Sequence, residues 1–298
     1  MQIYMHTLYI QMETSVMIGA HISSNPNDIL EGIQELHKYG CQTVQLFVTN
    51  NTKYKTKYDE FKKYAEKNNF TIVVHASYTI NLARNHDSYG PNIQHFISEI
   101  KTAYELGAKY IIVHMGKSME LSKEEAYNNM YMSLLDVHMQ TTKYPIKILL
   151  ETSSGQGSEM CIKLEDLSRF INKLLNHRNK KISERFGICV DTCHIYSAGY
   201  DINSKESVLK YIKNFDKYIG LTNLKVLHLN NSKTELNSNR DRHDNLNHGH
   251  INIDGLCEFV RLCFKLDVPI ILETPYDYLN EDSIMADIDK VEIIKRNF

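Results

Sequence analysis

The sequence predicts an α/β protein built as a single (β/α)8 TIM barrel, and three observations lead to this prediction. Short β-branched runs alternate strictly with longer segments of helical spacing, which indicates βα units and a parallel sheet. The chain holds eight such units in 298 residues, a size typical of a closed barrel. Six successive runs end in a histidine or an acidic residue, and catalytic groups of such barrels lie at the carboxyl ends of the strands.

Each predicted element follows from a local pattern. The strand runs are short and rich in Ile, Val and Leu; they are 16–21, 43–48, 71–75, 109–114, 146–151, 186–191, 224–229 and 269–273. The helical segments repeat apolar residues every three or four positions; they are 27–39, 57–68, 91–106, 122–140, 163–176, 204–218, 253–266 and 281–296. A doubly wound open sheet is the alternative, but no G-x-G-x-x-G follows the first strand and no P-loop is present.

The composition narrows the class of protein. Hydrophobic residues make up 42% of the chain, and no apolar run approaches the roughly 18 residues of a membrane helix, so we expect no membrane partner. Residues 1–15 lack a basic region and a cleavage site, and we expect a short extension before a barrel domain over 16–298. Six scattered cysteines without a C-x-x-C pair indicate reduced thiols in an intracellular protein, in the cytoplasm or nucleus.

Charge and residue usage add two expectations. The formal net charge of −2 argues against a generic basic coat for nucleic acid. Abundant Asn, Lys, Ile and Tyr indicate an AT-rich coding genome, which is compatible with a large DNA virus and hence with a virion.

The predicted strand ends carry side chains of the kind that bind metals. The six are His75, His114, Glu151, Asp191, His228 and Glu273. One polar strand end has an ordinary explanation, since the chain meets water there, but six in succession point to a shared cause. Carboxylates and imidazoles gathered at one mouth would repel or desolvate each other unless divalent cations bind them. This set, which lacks cysteine ligands, suits zinc, with manganese or iron as alternatives.

Three more candidate ligands lie outside the strand ends. His194 follows Asp191 in GICVDTCHIYSAGYD (187–201), and Asp241 and His243 lie in the long polar connection 230–252. Connections of this length inside compact domains are usually functional or disordered. Nine ligand-type residues exceed the three protein ligands of one catalytic metal, so they suit a cluster of two or three metals.

Five segments carry a family resemblance. They are HASYTINL (75–82), LETSSGQGS (150–158), GICVDTCHIYSAGYD (187–201), LHLNNSK (227–233) with DRH (241–243), and PIILET (269–274). Together they resemble the endonuclease IV family of apurinic/apyrimidinic (AP) endonucleases, also called AP endonuclease family 2, from about Met17 to the C-terminus. The members of that family are trinuclear-zinc TIM barrels that cut DNA on the 5′ side of abasic sites.

The resemblance implies three zinc ions per chain, with manganese as an alternative at one or more positions. The implied ligand sets are His75, His114 and Glu151; Glu151, Asp191, His228 and Glu273; and His194, Asp241 and His243. Three divalent ions would add +6 to the formal charge of −2, giving +4, with the positive charge focused where a phosphate would bind.

The implied reaction is metal-assisted hydrolysis of a phosphodiester by a deoxyribonuclease IV-type hydrolase of base excision repair. It would leave a 3′-OH and a 5′-deoxyribose phosphate. Glu273 would orient or deprotonate the attacking water, and Glu151 would act as the bridging carboxylate. Removal of 3′-blocking groups is a second expected activity. The expected partner is double-stranded DNA with abasic sites or 3′-blocked ends, bound by a monomer.

The resemblance also predicts DNA contacts. Tyr78 is the candidate wedge for a site whose abasic nucleotide is flipped out. In the loop 48–57 the family carries an Arg-Gln-aromatic stretch, and Thr52, Lys53 and Tyr54 take its place here. This departure removes the wedge arginine but leaves Lys53 and Tyr54 as phosphate and sugar contacts. Three further cations lie beside ligand positions; they are Lys117, Lys233 and Arg242.

Two rival functions stay open. A metal-dependent sugar isomerase or epimerase of the same barrel superfamily also places His, Glu and Asp at strand ends, but it normally binds one or two metals and lacks the D-R-H loop. A non-catalytic DNA-binding or scaffold protein would have no use for so many carboxylates at one pole. Other departures, such as HMGKS (114–118) for H-P-G-S and Asn231 for an acidic residue, remove no ligand.

Overall fold

A computed structural model of the protein describes residues 17–22, 25–275 and 284–296. The expected extension over 1–15 lies outside the described residues. Eight parallel strands close into a barrel in the order β1-β10-β7-β6-β5-β4-β3-β2. The barrel strands are β1 (Ile18–His21), β2 (Thr43–Phe47), β3 (Thr71–His75), β4 (Tyr110–His114), β5 (Lys147–Glu151), β6 (Phe186–Asp191), β7 (Leu224–His228) and β10 (Ile270–Leu272). The predicted TIM barrel is confirmed, and its strands deviate from the predicted bounds by at most two residues.

Helices surround the barrel at the predicted places. They are α1 (Ile29–Lys38), α2 (Lys55–Lys67), α3 (Pro91–Leu106), α4 (Lys123–Gln140), α5 (Leu164–Leu175), α8 (Lys205–Tyr218), α9 (Ile253–Leu266) and α10 (Ile284–Arg296). Two short helices were not predicted, α6 (Lys180–Ser183) and α7 (Thr192–Ser197). Ser122 and Glu125 form a capping box at the start of α4, which satisfies backbone N–H groups that the helix leaves free.

A layer of apolar side chains joins the helices to the outer face of the barrel. Five helices each insert a fully buried phenylalanine there: Phe61, Phe96, Phe170, Phe215 and Phe259. A fully buried aromatic side chain stabilises the fold by roughly 1.5–3 kcal/mol relative to an exposed one. The apolar layer therefore fixes each strand, and with it the direction of the side chain at the strand's end.

Alternation along the strands decides which side chains point into the barrel. Seven buried residues form a separate interior cluster: Val73, Tyr110, Ile112, Leu149, Cys189, Val226 and Ile271. Because successive strand residues point to opposite faces, the residue two positions further on also faces the interior. Val73 is followed in this way by His75, and Ile112 by His114. The same step leads to four more polar residues at the mouth: Glu151, Asp191, His228 and Glu273.

Candidate metal centre

Polar side chains cover the carboxyl end of the barrel, and each of the eight strands contributes one. They are His21, Gln45, His75, His114, Glu151, Asp191, His228 and Glu273. The sequence predicted six of the eight and missed His21 and Gln45. Strand alternation is the signal that could have found His21 and Gln45, because each shares a face of its strand with the residue two positions before it.

Glu151 lies at the centre of this layer, and its two carboxylate oxygens face different neighbours. Oε2 is 3.2 Å from Nε2 of His75 and 3.5 Å from Nε2 of His114. Oε1 is 2.7 Å from Nδ1 of His228. Burial opposes its ionisation, but the imidazoles of His114 and His228 outweigh burial and hold the pKa of Glu151 well below its ordinary value. A carboxylate placed in this way can bridge two cations.

A first group of possible ligand atoms is formed by His75, His114 and Glu151, and these atoms lie within 4.8 Å of one another. Burial alone would lower the pKa of His75, but the hydrogen-bonded carboxylate of Glu151 raises it to about 9. Its Nδ1 lies 2.7 Å from the carbonyl oxygen of Ala76, which leaves Nε2 facing the cluster.

A second group contains Glu151, Asp191, His228 and Glu273, again within 4.8 Å. Nδ1 of His228 lies 3.8 Å from Asp191 and 3.3 Å from Glu273. Burial opposes ionisation of Glu273, but the imidazole of His228 contributes most to lowering its pKa, to about 2. Three carboxylates and one imidazole in so small a volume favour a cation as their common partner.

The third group, His194, Asp241 and His243, joins the barrel to the connection 230–252. His194 is on α7, which begins directly after β6, and its backbone N–H donates to Oδ1 of Asp191 at 2.9 Å. The Nδ1 atom of His194 lies 2.8 Å from the carbonyl oxygen of Thr152. The short DTCH spacing places Asp191 in the second group and His194 in the third, and Oδ2 of Asp191 also lies 3.6 Å from Nε2 of His243 in the third group.

Two ring nitrogens in the third group test whether a metal fits there. Nε2 of His194 and Nε2 of His243 lie 3.2 and 3.1 Å from oxygens of Asp241. Both atoms are buried, and neither makes a hydrogen bond with any described residue. Each ring nitrogen therefore faces a carboxylate oxygen without an aligned hydrogen bond, and a cation between them would satisfy both. The residues present therefore fit a metal ion.

The connection 230–252 is anchored on both sides of this third group. It contains β8 (Asn231–Ser232) paired antiparallel with β9 (His243–Asp244). The side-chain amide of Asn231 donates to the carbonyl oxygens of Leu246 and Ile251, at 2.8 and 2.9 Å. An asparagine can donate to both carbonyls where an ionised aspartate could not, which accounts for the amide at this position.

Comparisons with known proteins agree with this geometry. A sequence model of the family described as xylose isomerase-like TIM barrel matches residues 33–293. A probable endonuclease 4 of Shouchella clausii is 35% identical over 273 residues, which cover 88% of this chain and 90% of the relative. A probable endonuclease 4 of Persephonella marina is 35% identical over 269 residues, covering 87% and 91%. The chain belongs to the endonuclease IV family.

Solved structures share the fold of this endonuclease IV family member. Endonuclease IV from Thermus thermophilus superposes with a TM-score of 0.76 at 22% identity and covers 95% of this chain and 100% of its own. A D-tagatose 3-epimerase-like protein reaches 0.66 at 19% identity, covering 94% and 96%. Identities this low show the shared barrel alone.

No described helix combines the length and the apolar content that crossing a membrane requires.

A cavity of about 710 Å³ opens above the three groups. Tyr78, 77% exposed, lies on its wall, as does Lys117, whose ammonium is 3.6 Å from Glu159. Two residues that the sequence analysis did not select, Arg84 and Met119, also line it.

The other predicted DNA contacts lie outside the cavity lining, and of these Arg242 contacts Gln156, which belongs to the lining. Lys53 and Tyr54 are on a single turn of 3-10 helix, with the ammonium 4.6 Å from the centre of the Tyr54 ring. Arg242 donates to the carbonyl oxygen of Asp241 and to Gln156. The backbone N–H of Lys233 donates to the carbonyl oxygen of Arg242 at 2.8 Å. These four are not among the residues that line the cavity.

Proposed function

We propose that the protein is a zinc-dependent DNA-repair endonuclease that hydrolyses the phosphodiester 5′ to abasic sites. The products would be a 3′-OH and a 5′-deoxyribose phosphate, and removal of 3′-blocking groups would be a second activity of the same centre. The observation that carries this proposal is the set of three adjoining ligand groups, two of them sharing Glu151, at the floor of one open cavity.

Each of the three groups would hold one zinc ion. The proposed sets are His75, His114 and Glu151; Glu151, Asp191, His228 and Glu273; and His194, Asp241 and His243. Imidazole and carboxylate donors suit zinc, and manganese is an alternative at one or more positions. The ions would supply Lewis acidity, which lowers the pKa of water and neutralises charge on a phosphate.

Glu273 is the proposed group that orients or deprotonates the attacking water. Its side chain lines the cavity, and its Oε1 accepts a hydrogen bond of 2.6 Å from Gln45. Its other oxygen lies 3.3 Å from His228, so both oxygens are held in place. Because the pKa of Glu273 is lowered to about 2, the group stays ionised at neutral pH and can accept a hydrogen bond from water.

Double-stranded DNA with an abasic site would bind across the mouth of the cavity, to a protein monomer. Tyr78 is exposed on the wall and would fill the gap left by the flipped nucleotide. Lys117 would contact a phosphate there. The outer residues Lys53 and Tyr54 would contact the duplex further along, and so would Lys233 and Arg242. Arg84 offers a second cation on the cavity wall, since it is exposed there.

The test is incubation of the protein with a duplex that carries one abasic site. We expect a nick on the 5′ side that a chelator abolishes and added zinc restores. Glu273→Gln should keep binding to the abasic duplex and lose cleavage by about 10²–10⁴-fold, the usual contribution of a general base. Glu124→Gln, in the first turn of α4, is the control and should cleave normally. Absence of a chelator-sensitive nick would overturn the proposal.

A sugar isomerase or epimerase is the second candidate, since epimerase-like proteins share the barrel. The position of the third group in the connection 230–252 favours the nuclease, because an isomerase needs one or two metals. Elemental analysis discriminates between them: about three zinc ions per chain support the nuclease, and one or two support the isomerase.

A further inference from the structure

The side-chain amide of Gln45 contacts three groups at the floor of the cavity. Gln45 is on β2 and is fully buried. Its Nε2 lies 2.6 Å from Oε1 of Glu273 and 3.0 Å from Nδ1 of His21. Its Oε1 lies 2.9 Å from Nε2 of His228. Both amide hydrogens and the amide oxygen are therefore engaged.

The chemistry of these partners fixes which way the amide points. A carboxylate of Glu273 can only accept, so the amide nitrogen must face it. The opposite orientation would bring two acceptor oxygens to 2.6 Å. The second amide hydrogen then points at Nδ1 of His21, which accepts it. The amide oxygen faces His228, and that oxygen can only accept.

The orientation of the amide decides that Nε2 of His228 is protonated. Because Oε1 of Gln45 accepts, Nε2 of His228 must carry a proton and donate it. The nitrogen left to bind a cation is then Nδ1, which lies 2.7 Å from Glu151 and 3.3 Å from Glu273. Any proton that a metal must displace from this ring is the one on Nδ1.

We propose that Gln45 is a positioning residue of the metal centre. It presents Nδ1 of His228 to the metal of the second group and at the same time holds the carboxylate of Glu273. This inference rests on the proposed function. Partners that orient metal-bound histidines typically change metal affinity by about 10–100-fold when they are removed.

Two substitutions separate the two contacts. Gln45→Met has a similar length and loses both, so Nε2 of His228 loses its acceptor and Oε1 of Glu273 loses its donor. Gln45→Glu keeps an acceptor for His228 but places a second carboxylate against Glu273. Thr43→Val is the matched control, because Thr43 lies two residues earlier on β2 and its buried hydroxyl has no partner among the described residues.

The first measurement is zinc affinity, from competition with a chromophoric chelator. We expect Gln45→Met to weaken one zinc site by about 10–100-fold, while Thr43→Val binds zinc like the original protein. The second is the protonation pattern of histidine nitrogens by ¹⁵N NMR of the metal-free proteins. Nε2 of His228 should stay protonated in the original protein and in Gln45→Glu, whereas in Gln45→Met it has no acceptor and only the proton on Nδ1, which faces Glu151, should be retained.

The third measurement is cleavage of an abasic duplex, in which both Gln45 variants should lose mainly kcat and little of KM. Unchanged zinc affinity and an unchanged protonation pattern of His228 in Gln45→Met would overturn the inference. If that variant does not fold, Gln45→Glu decides: a kcat equal to that of Thr43→Val would overturn it. Failure of the original protein to cut abasic DNA would count against the proposed function, whereas the zinc and NMR results do not depend on cleavage.

Discussion

The floor of the cavity is made of buried and half-buried polar side chains that contact one another, whereas its rim is made of exposed and half-buried side chains. We define the floor as the nine candidate ligands with His21 and Gln45, and the rim as Tyr78, Arg84, Lys117 and Met119. On the floor, Asp191 is fully buried and Glu151 is 1% exposed. On the rim, Tyr78 is 77% and Met119 53% exposed.

The difference reflects two kinds of task. Charged groups are buried at a high free-energy cost unless a partner compensates them, so the arrangement of the floor suits bound cations. On the proposed function the rim would meet DNA, a large and deformable partner, and exposed side chains can adjust when such a partner binds. Substitutions on the floor should therefore change metal content, and substitutions on the rim should change DNA binding alone.

Replacing the bridging carboxylate should have the largest effect. Glu151→Ala removes a ligand from two groups at once and leaves buried imidazoles without their partner. We expect loss of at least one zinc per chain by elemental analysis and a fall of about 10³-fold or more in cleavage. Glu159→Gln is the control. It changes the ion-pair partner of the rim residue Lys117, and this variant should keep all its zinc. A full metal complement in Glu151→Ala would contradict the division into floor and rim.

Metal removal should expose the pH dependence of the floor. The pKa values of His75 and His243 are both raised to about 9, because nearby carboxylates outweigh burial. Without metal, the stability gained from these protonated imidazoles is complete below pH 6.5, the ordinary value, and is lost as pH rises through about 9. Metal affinity should run the opposite way and increase with pH, because protons compete with the ion.

Thermal melts of the chelated protein between pH 6 and 9.5 check this expectation. The melting temperature should fall by about 5 °C or more over that range, and the zinc-loaded protein should show a smaller change. A chelated protein that became more stable as pH rose would show that the imidazoles are not protonated in the metal-free floor.

Removing the exposed ring on the rim should weaken DNA binding and leave the metals in place. Stacking of an aromatic side chain on a base contributes about 1–3 kcal/mol, so Tyr78→Ala should bind an abasic duplex about 10–100-fold more weakly. Tyr89→Ala is the matched control, because Tyr89 is 79% exposed but does not line the cavity. Equal binding by the two variants, measured by fluorescence anisotropy, would remove Tyr78 from the interface.

The smallest effect on cleavage is expected at Glu99, which lies beneath the loop that carries Tyr78. Its carboxylate accepts from the backbone N–H of Ser77 at 3.1 Å, and burial raises its pKa to about 7. A raised carboxyl pKa means that the protonated form is favoured in the folded state, so stability falls as pH rises from 4.5 through 7. Glu99→Gln should flatten this fall, gain about 1–3 kcal/mol at pH 8 relative to pH 5, and cut DNA within about twofold of normal.

Urea unfolding at pH 5 and pH 8 measures this change. A variant whose free energy of unfolding kept the original pH dependence would show that Glu99 is not the group that titrates.

The sequence by itself determined the barrel and most of its floor. Strands and helices alternate in a pattern that the apolar layer and the parallel sheet both require. Few residue types bind metals, and strand alternation allows them at few positions. The candidate ligands at six strand ends and the pair Asp241 and His243 could therefore be identified from the sequence. The family resemblance then grouped them into three sets.

Only the tertiary structure showed what His21 and Gln45 do. A glutamine is not a usual metal ligand, and Gln45 lies in the middle of β2 rather than at its end. Its partners Glu273 and His228 are 228 and 183 residues away in the chain. Closure of the barrel places β2 next to β1 and brings the ends of β7 and β10 close to Gln45. The amide nitrogen of Gln45 then donates to Glu273, and its amide oxygen accepts from His228. The rim is decided in the same way, since the exposure of Met119 and Arg84 beside Tyr78 depends on how separate loops meet. Periodicity fixes the direction of a side chain along its own strand, but contact between distant strands exists only in the folded barrel.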